Sequence, residues 1–265
     1  MNPFEHFVLT RCNAPLKAAD TAAEHNNDWL TRRFDLFERV CLPSMQRQLE
    51  GAYQWLVFMD WATPVHFKER MAALSVRHEF LRPVYCSHFD EATALAEIRR
   101  RETAGRARVT TQLPCAAALH PRMVEQVHEA VRQHIASHDL QRGFAISFPL
   151  GCCERKGDFY LRRERANPFI SFVSAPETER TALAGLADVP VVTRTRRPLW
   201  CEVLQDDTDA TKPCGIYWPM GGSSEFAPGI TNGFRRGALW QGAEMVRRAA
   251  RALNAAIPAK SKGKP

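Results

Sequence analysis

The chain contains no apolar run approaching the roughly 18 residues that span a bilayer, so no transmembrane segment is expected. Its first residues, Met1 to Phe7, offer neither a basic n-region nor an apolar h-region, so no secretory signal is expected either. There is no Gly-x-Gly-x-x-Gly and no Walker loop, which argues against a Rossmann dehydrogenase or a P-loop enzyme. There is also no His-Glu-x-x-His, and no Gly-x-Ser-x-Gly elbow for a hydrolase. The eight cysteines include no Cys-x-x-Cys pair and no zinc spacing. Cys12, Cys41, Cys86 and Cys201 sit in apolar segments, where a free thiol behaves as a small hydrophobe. A reduced, cytoplasmic protein is the expectation, with the adjacent Cys152 and Cys153 read as a turn.

What is present suits a folded domain. Of 265 residues, 45% are hydrophobic and 25% charged, and six Trp and fifteen Phe supply a large core. No linker or internal repeat is visible, so one domain over residues 1–257 is expected, followed by a disordered basic tail, 258–265. The net charge is +7, and the three lysines of that tail reduce it to a modest +4 for the body. Arginines cluster at Arg99–Arg101, at Arg106 with Arg108, at Arg162, Arg163 and Arg165, and at Arg194 with Arg196 and Arg197. Most read as solvated faces, with the option that some line a pocket for a phosphorylated small molecule. His134 and His138, four apart on a helix, have the spacing of a metal pair, but a polar exposed face is the expected role.

Strand and helix alternate through the first half. His6–Thr10 reads as a buried strand. A helix capped at Asn27 or Asp28 carries Leu30, Phe34, Phe37, Cys41 and Met45, and Pro43 is expected to end or kink it near Cys41. Gln54–Asp60 is a near-continuous apolar run ending in a carboxylate, and Thr63-Pro64 opens a helix with Pro at its first position. Arg82–Cys86, a helix from Asp90 through Arg101, Ala107–Thr111 and a helix from His120 to Ser137 repeat the unit. This pattern predicts an α/β fold with a parallel N-terminal sheet flanked by helices. Segments 143–149, 158–161, 190–193 and 199–204 read as strands without long helices, a mixed extension of the same sheet. Residues 206–235 read as a long loop, and 236–256 as a terminal helix.

A doubly wound sheet binds ligands at the carboxyl ends of its strands, so Thr10, Arg11, Asn13, Asp60, Thr111 and Gln112 become candidate binding residues. The blocks His6–Asn13, Phe37–Ser44, Trp55–Asp60 with Thr63-Pro64, and Asn167–Ser171 together resemble the rhamnosyltransferase family, colinearly over roughly residues 6–205. That resemblance implies a GT-A-like fold and transfer of a sugar, rhamnose among the candidates, from a nucleotide-sugar donor to a glycan or similar acceptor. It also implies a departure. After the fourth strand the family carries an acidic motif of the Asp-x-Asp kind for a divalent metal, whereas this chain reads Gln112-Leu-Pro-Cys-Ala-Ala-Ala-Leu119, with no carboxylate. Near Trp200–Leu204, where the family tends to place a histidine, it has Gln205 followed by Asp206 and Asp207.

Three readings follow. The first is a metal-independent transferase, with no cofactor, in which arginines meet the charge of the departing diphosphate. Arg11 is the foremost candidate, then Arg162, Arg163 and Arg194, with Asp158, Asp206 or Asp207 as base for the acceptor. The second is a catalytically silent relative that binds a partner. The third is electrostatic adhesion of the basic terminal helix to nucleic acid or a membrane surface; the first two readings expect no nucleic-acid partner.

Overall fold

The computed structural model describes residues 2–16, 26–155, 158–185, 188–194, 197–204, 215–218 and 226–227. The anticipated terminal helix and basic tail, Asp206, Asp207 and Cys214 lie outside the described residues.

The first half builds one parallel sheet. Strands β1 (Phe4–Arg11), β2 (Gln54–Asp60), β3 (Leu81–Cys86) and β4 (Ala107–Gln112) lie in the order β4-β1-β2-β3, all parallel. Their connections carry helices: Asn27–Leu36 (α1) and Leu42–Gln46 (α2), then Val65–Arg77 (α3), then Glu91–Arg99 (α4). Alternation along the strands supplies two apolar faces. Val8, Trp55, Val57 and Val109 pack with Leu30, Phe34, Phe67 and Met71 on one side. Phe7, Leu9, Leu56 and Phe58 pack with Ala94 and Ile98 on the other. The expected three-layer α/β core is therefore present.

Pro43 does not end its helix. The chain passes from α1 through a π-helical turn, Phe37–Cys41, into α2, with Leu42 N–H donating to Phe37 O. A proline cannot donate to the carbonyl four residues back, and the wider turn just ahead of it absorbs that mismatch without breaking the rod. Pro64 stands at the N-cap of α3 rather than at its first helical position. Asp90 caps α4 as expected, accepting from Thr93 N–H at 2.8 Å. The next helix, α5 (Met123–His134), begins three residues later than expected because Pro121 holds His120 out of the helical region.

The second half corrects the expectation of one extended sheet. Strands β6 (Phe144–Ser147), β9 (Ser171–Ser174) and β10 (Val191–Thr193) do continue the first sheet, in the order β10-β6-β9-β4, with β9 antiparallel to both neighbours. A separate sheet is made by β5 (Ala117–Leu119), β7 (Leu150–Arg155), β8 (Asp158–Arg163), β11 (Trp200–Val203) and β12 (Ile216–Tyr217), in the order β12-β8-β7-β11-β5. Pro149, with no N–H for a ladder, marks the point where the chain leaves β6 for β7. Cys152 and Cys153, expected in a turn, lie in the middle of β7, both buried. A Cβ at Gly151 would strike the ring of the buried Trp200, so glycine there lets the indole lie flat on the strand.

The arginine clusters are mostly consumed in ion pairs. Arg99 meets Glu179, Arg101 meets Glu97, Arg106 meets Glu5, and the fully buried Arg108 grips Glu102 through two 2.9 Å bonds. The seven described cysteines are free and buried. Among the described residues no helix is long and apolar enough to cross a membrane.

Candidate functional site

Because β1, β2 and β4 are adjacent and parallel, their carboxyl ends open on one edge of the sheet. The fold thus brings Thr10, Arg11, Asn13, Asp60, Thr111 and Gln112 together, as strand order requires. Their side chains differ in what remains available. Thr10 is fully buried, and its hydroxyl accepts from Trp55 Nε1 at 2.8 Å. Thr111 Oγ1 lies 2.8 Å from His6 Nε2 and 2.6 Å from Ser171 Oγ, tying β4 to β1 and β9. Asn13 donates to Thr63 Oγ1 at 2.8 Å and accepts from Asp60 N–H at 3.3 Å. Asp60, almost wholly buried, accepts from Ala62 N–H at 2.7 Å, folding its own turn. These four hold the edge in shape. Arg11 and Gln112 are only half-buried, with Arg11 Nη1 donating to Ala14 O at 2.9 Å.

Behind this edge lies a cluster that sequence reasoning did not foresee. Cys12, one residue past β1, sits 3.8 Å sulfur to sulfur from Cys115, in the loop after β4. Cys41 approaches from the π-helical turn, its Sγ 3.9 Å from Pro114 O. Arg33 of α1 closes the cluster: Nε donates to Cys12 O at 2.7 Å and Nη2 to Arg11 O at 3.2 Å. The hydrogen bond it shares with Cys12 pulls the Cys115 thiol down to about 7, with the positive charge of Arg33 and then Arg11 adding to it against the effect of burial. Cys12 is pushed well above the ordinary thiol range by the same bond and by burial, and Cys41 by burial. The one trace of Arg33 in the sequence is its place beside Phe34 on the buried stripe of α1. Nothing local shows that its fork reaches two carbonyls at the end of β1.

Arg162, Arg163 and Asp158 lie on the second sheet. Arg162 donates to Glu202 Oε2 at 2.5 Å and to Glu164 Oε2 at 2.8 Å, and its guanidinium sits 5.8 Å from the Trp200 ring centre. Arg163 is exposed at the end of β8. Asp158 begins that strand, paired with Arg155 across the β7–β8 hairpin. It is separated from β5 by the strands β7 and β11, so it stands about 14 Å from the loop after β4. Glu202, half-buried on β11 and in register with Ala117, stands one strand away from that loop, a placement only the sheet pairing reveals. Arg194 turns elsewhere, to Gln133 and to Glu129 at 3.6 Å.

His134 and His138 do not form the open pair their spacing allows. Both are half-buried, with His138 Nδ1 3.0 Å from His134 O and its ring 4.4 Å from that of Phe144. Among the described residues no group of three or more His, Cys, Asp or Glu side chains converges as a metal site would require. A second buried pair is His6 and His128, with Nδ1 of the first 3.0 Å from Nε2 of the second. Burial drives His6 well below the ordinary imidazole range and His128 down to about 4.

A family model described as "Putative rhamnosyl transferase" matches residues 9–215. A search of curated proteins gives no match. Among solved structures, the chain is similar to S. aureus TarS 1–349, with a TM-score of 0.45 and 7% identity over 76% of this chain and 60% of that one. The TarS structure in complex with UDP-GlcNAc gives 0.44, 7% identity, 77% and 59%. A "putative nucleotide-diphospho-sugar transferase" from Desulfovibrio desulfuricans G20 gives 0.36 and 13% identity over 92% of this chain and 98% of that one. The chain thus spans about 60% of the length of the TarS chains it matches.

Proposed function

We propose that this chain, which belongs to the rhamnosyl transferase family that matches it over residues 9–215, transfers a sugar from a nucleotide-sugar donor to a glycan or similar acceptor. The donor diphosphate is read at the joined ends of β1, β2 and β4, the edge where open α/β sheets take ligands. One observation supports the metal-independent form of this reading: at the loop after β4, where the family resemblance implies carboxylates, Cys115 lies 3.8 Å from Cys12, and the Arg33 guanidinium holds the carbonyls of Cys12 and Arg11. Both Arg11 and Arg33 draw Cys115 towards its thiolate. The segment Leu113–Ala118 has no carboxylate, and Cys115 is buried against Cys12, so these residues do not fit an oxygen-ligated Mg²⁺ or Mn²⁺.

In this reading the half-buried Arg11 meets the charge that grows on the diphosphate as its bond to the sugar breaks. A fixed guanidinium does this without reorganising. Arg33 is a positioning residue, pinning the carbonyls of Arg11 and Cys12. As the acceptor oxygen bonds to the sugar, its proton passes to a carboxylate. Of the described acids on the second sheet, Glu202, which accepts from Arg162, stands nearer the loop after β4 than Asp158, and Asp206 and Asp207 follow β11 in sequence.

A thermal-shift screen of nucleoside diphosphates and their sugars, each with EDTA and with Mn²⁺, tests the reading. Stabilisation by one nucleotide series in EDTA is the expected result and identifies the donor class. A second reading, a silent fold that binds a partner, draws on the internal satisfaction of Thr10, Asn13 and Thr111. The absence of any shift in either condition would favour it.

A further inference from the structure

A cleft of about 440 Å³ opens beside α5, next to the carboxyl ends of β6 and β10 rather than those of β1, β2 and β4. One wall is a stripe of that helix: Arg122, Gln126, Glu129 and Gln133 recur at spacings of four, three and four, opposite the buried Met123, Val127 and Val131. The other wall comes from the two connections that leave the first sheet for the second. Phe148 follows β6, while Arg194, Arg197 and Leu199 lie between β10 and β11. Backbone bonds fix this wall: Arg194 N–H donates to Ser147 O at 3.0 Å, Leu199 N–H to Leu150 O at 3.1 Å, and His120 N–H to Leu199 O at 2.9 Å. The cleft is therefore part of the scaffold.

Its lining has a definite chemistry. Phe148 and Leu199 make an apolar floor, and three guanidinium groups face a single lining carboxylate, Glu129, which already accepts from the amides of Gln126 at 3.0 Å and Gln133 at 3.1 Å. Arg122 also pairs with Glu125, but both are well exposed there, where such a pair holds little free energy. Arg194 lies 3.6 Å from Glu129, which leaves the cleft with a surplus of positive charge. Guanidinium forks suit carboxylate and phosphate, and an apolar floor suits the face of a sugar ring.

We propose that this cleft binds an anionic saccharide, one bearing carboxylate or phosphate groups. Resting on the transferase reading, we further assign it as the acceptor site. β6 is parallel to β4, both being antiparallel to β9 between them, so the cleft opens on the same edge as the proposed donor site. It lies two strand spacings from β4 and three from β1, about 10–14 Å, so an acceptor held there reaches the donor through a terminal sugar that extends beyond the cleft.

The test is calorimetric titration of the full chain at low salt with trigalacturonate, with mannose 6-phosphate, and with neutral maltotriose as reference. Expected is binding of at least one anionic probe about tenfold or more tighter than maltotriose, a further loss of about tenfold in the Arg122→Glu/Arg197→Glu double variant, and weakening by salt. The carboxylate and phosphate arms show which anion is preferred. Equal affinity for the neutral sugar, no binding of either anion, or no effect of the double variant would overturn the proposal. Nucleotide thermal shift on the same samples separates the two readings. Anionic binding without any nucleotide shift leaves the cleft as a saccharide site and removes the transferase reading. A nucleotide shift without anionic binding does the reverse.

Discussion

Arg33 Nε donates to the backbone carbonyl of Cys12 at 2.7 Å, so one guanidinium on α1 holds the end of β1 and lends its charge to the thiol pair beside it. The arrangement places positive potential where the family resemblance implies a metal held by carboxylates, and the proposed chemistry follows from that exchange.

Replacing Arg33 by Met removes the second of the influences that depress Cys115, after the hydrogen bond it shares with Cys12. The Cys115 thiol then rises from about 7 towards its ordinary range of 9. Thiolate absorbance followed against pH, with a Cys115→Ser variant to assign the titration, measures this. An unmoved midpoint would show that Arg33 acts on the backbone alone.

The buried histidine pair sets a pH dependence of stability. The folded-state value of His128, about 4, lies below its ordinary 6.5, so across that window the unfolded chain binds a proton that the native state refuses. Stability is therefore full above pH 6.5 and falls as pH drops towards 4. The loss is on the order of 3 kcal/mol for His128, and His6, also lowered by burial, acts in the same direction. Urea unfolding at several pH values measures the slope, and a His128→Leu variant that retains the full slope would contradict the assignment.

Arg108 is fully buried, bonded twice to Glu102 at 2.9 Å and to the carbonyls of Thr178 and Pro176. Truncation to Ala leaves a carboxylate and two carbonyls without their partner, a cost of about 3–5 kcal/mol. Arg108→Lys recovers little, because an ammonium cannot reproduce the fork. Denaturant midpoints of the two variants check this.

The sequence carried the first half of the fold well, because periodicity reports burial directly. The run Trp55–Met59 is apolar throughout because both faces of β2 are covered. It carried the second half poorly. β5 consists of Ala117, Ala118 and Leu119, which have no strand preference of their own, and β7 holds two cysteines and Gly151, whose lack of a side chain makes room for the Trp200 ring. The candidate site divides in the same way. Thr10, Arg11, Asn13, Asp60, Thr111 and Gln112 were legible because strand ends follow from strand order. Arg33 and Glu202 were not, since one acts through a tertiary reach to backbone carbonyls and the other through sheet register. Arg108 misled in the opposite direction, as an arginine in a basic cluster reads as a solvated residue until its buried partner is seen.

The central claim is a donor site that binds through arginine and not through a metal held at the loop after β4. Its most direct measurement is calorimetric titration of the stabilising nucleotide sugar into the wild type and into Arg11→Ala, in EDTA and again in Mn²⁺. Equal wild-type affinity in both media is expected, with a loss of about tenfold or more in Arg11→Ala, the equivalent of one charge-assisted contact. Binding that appears only with Mn²⁺, or an Arg11→Ala variant with wild-type affinity, would contradict that claim.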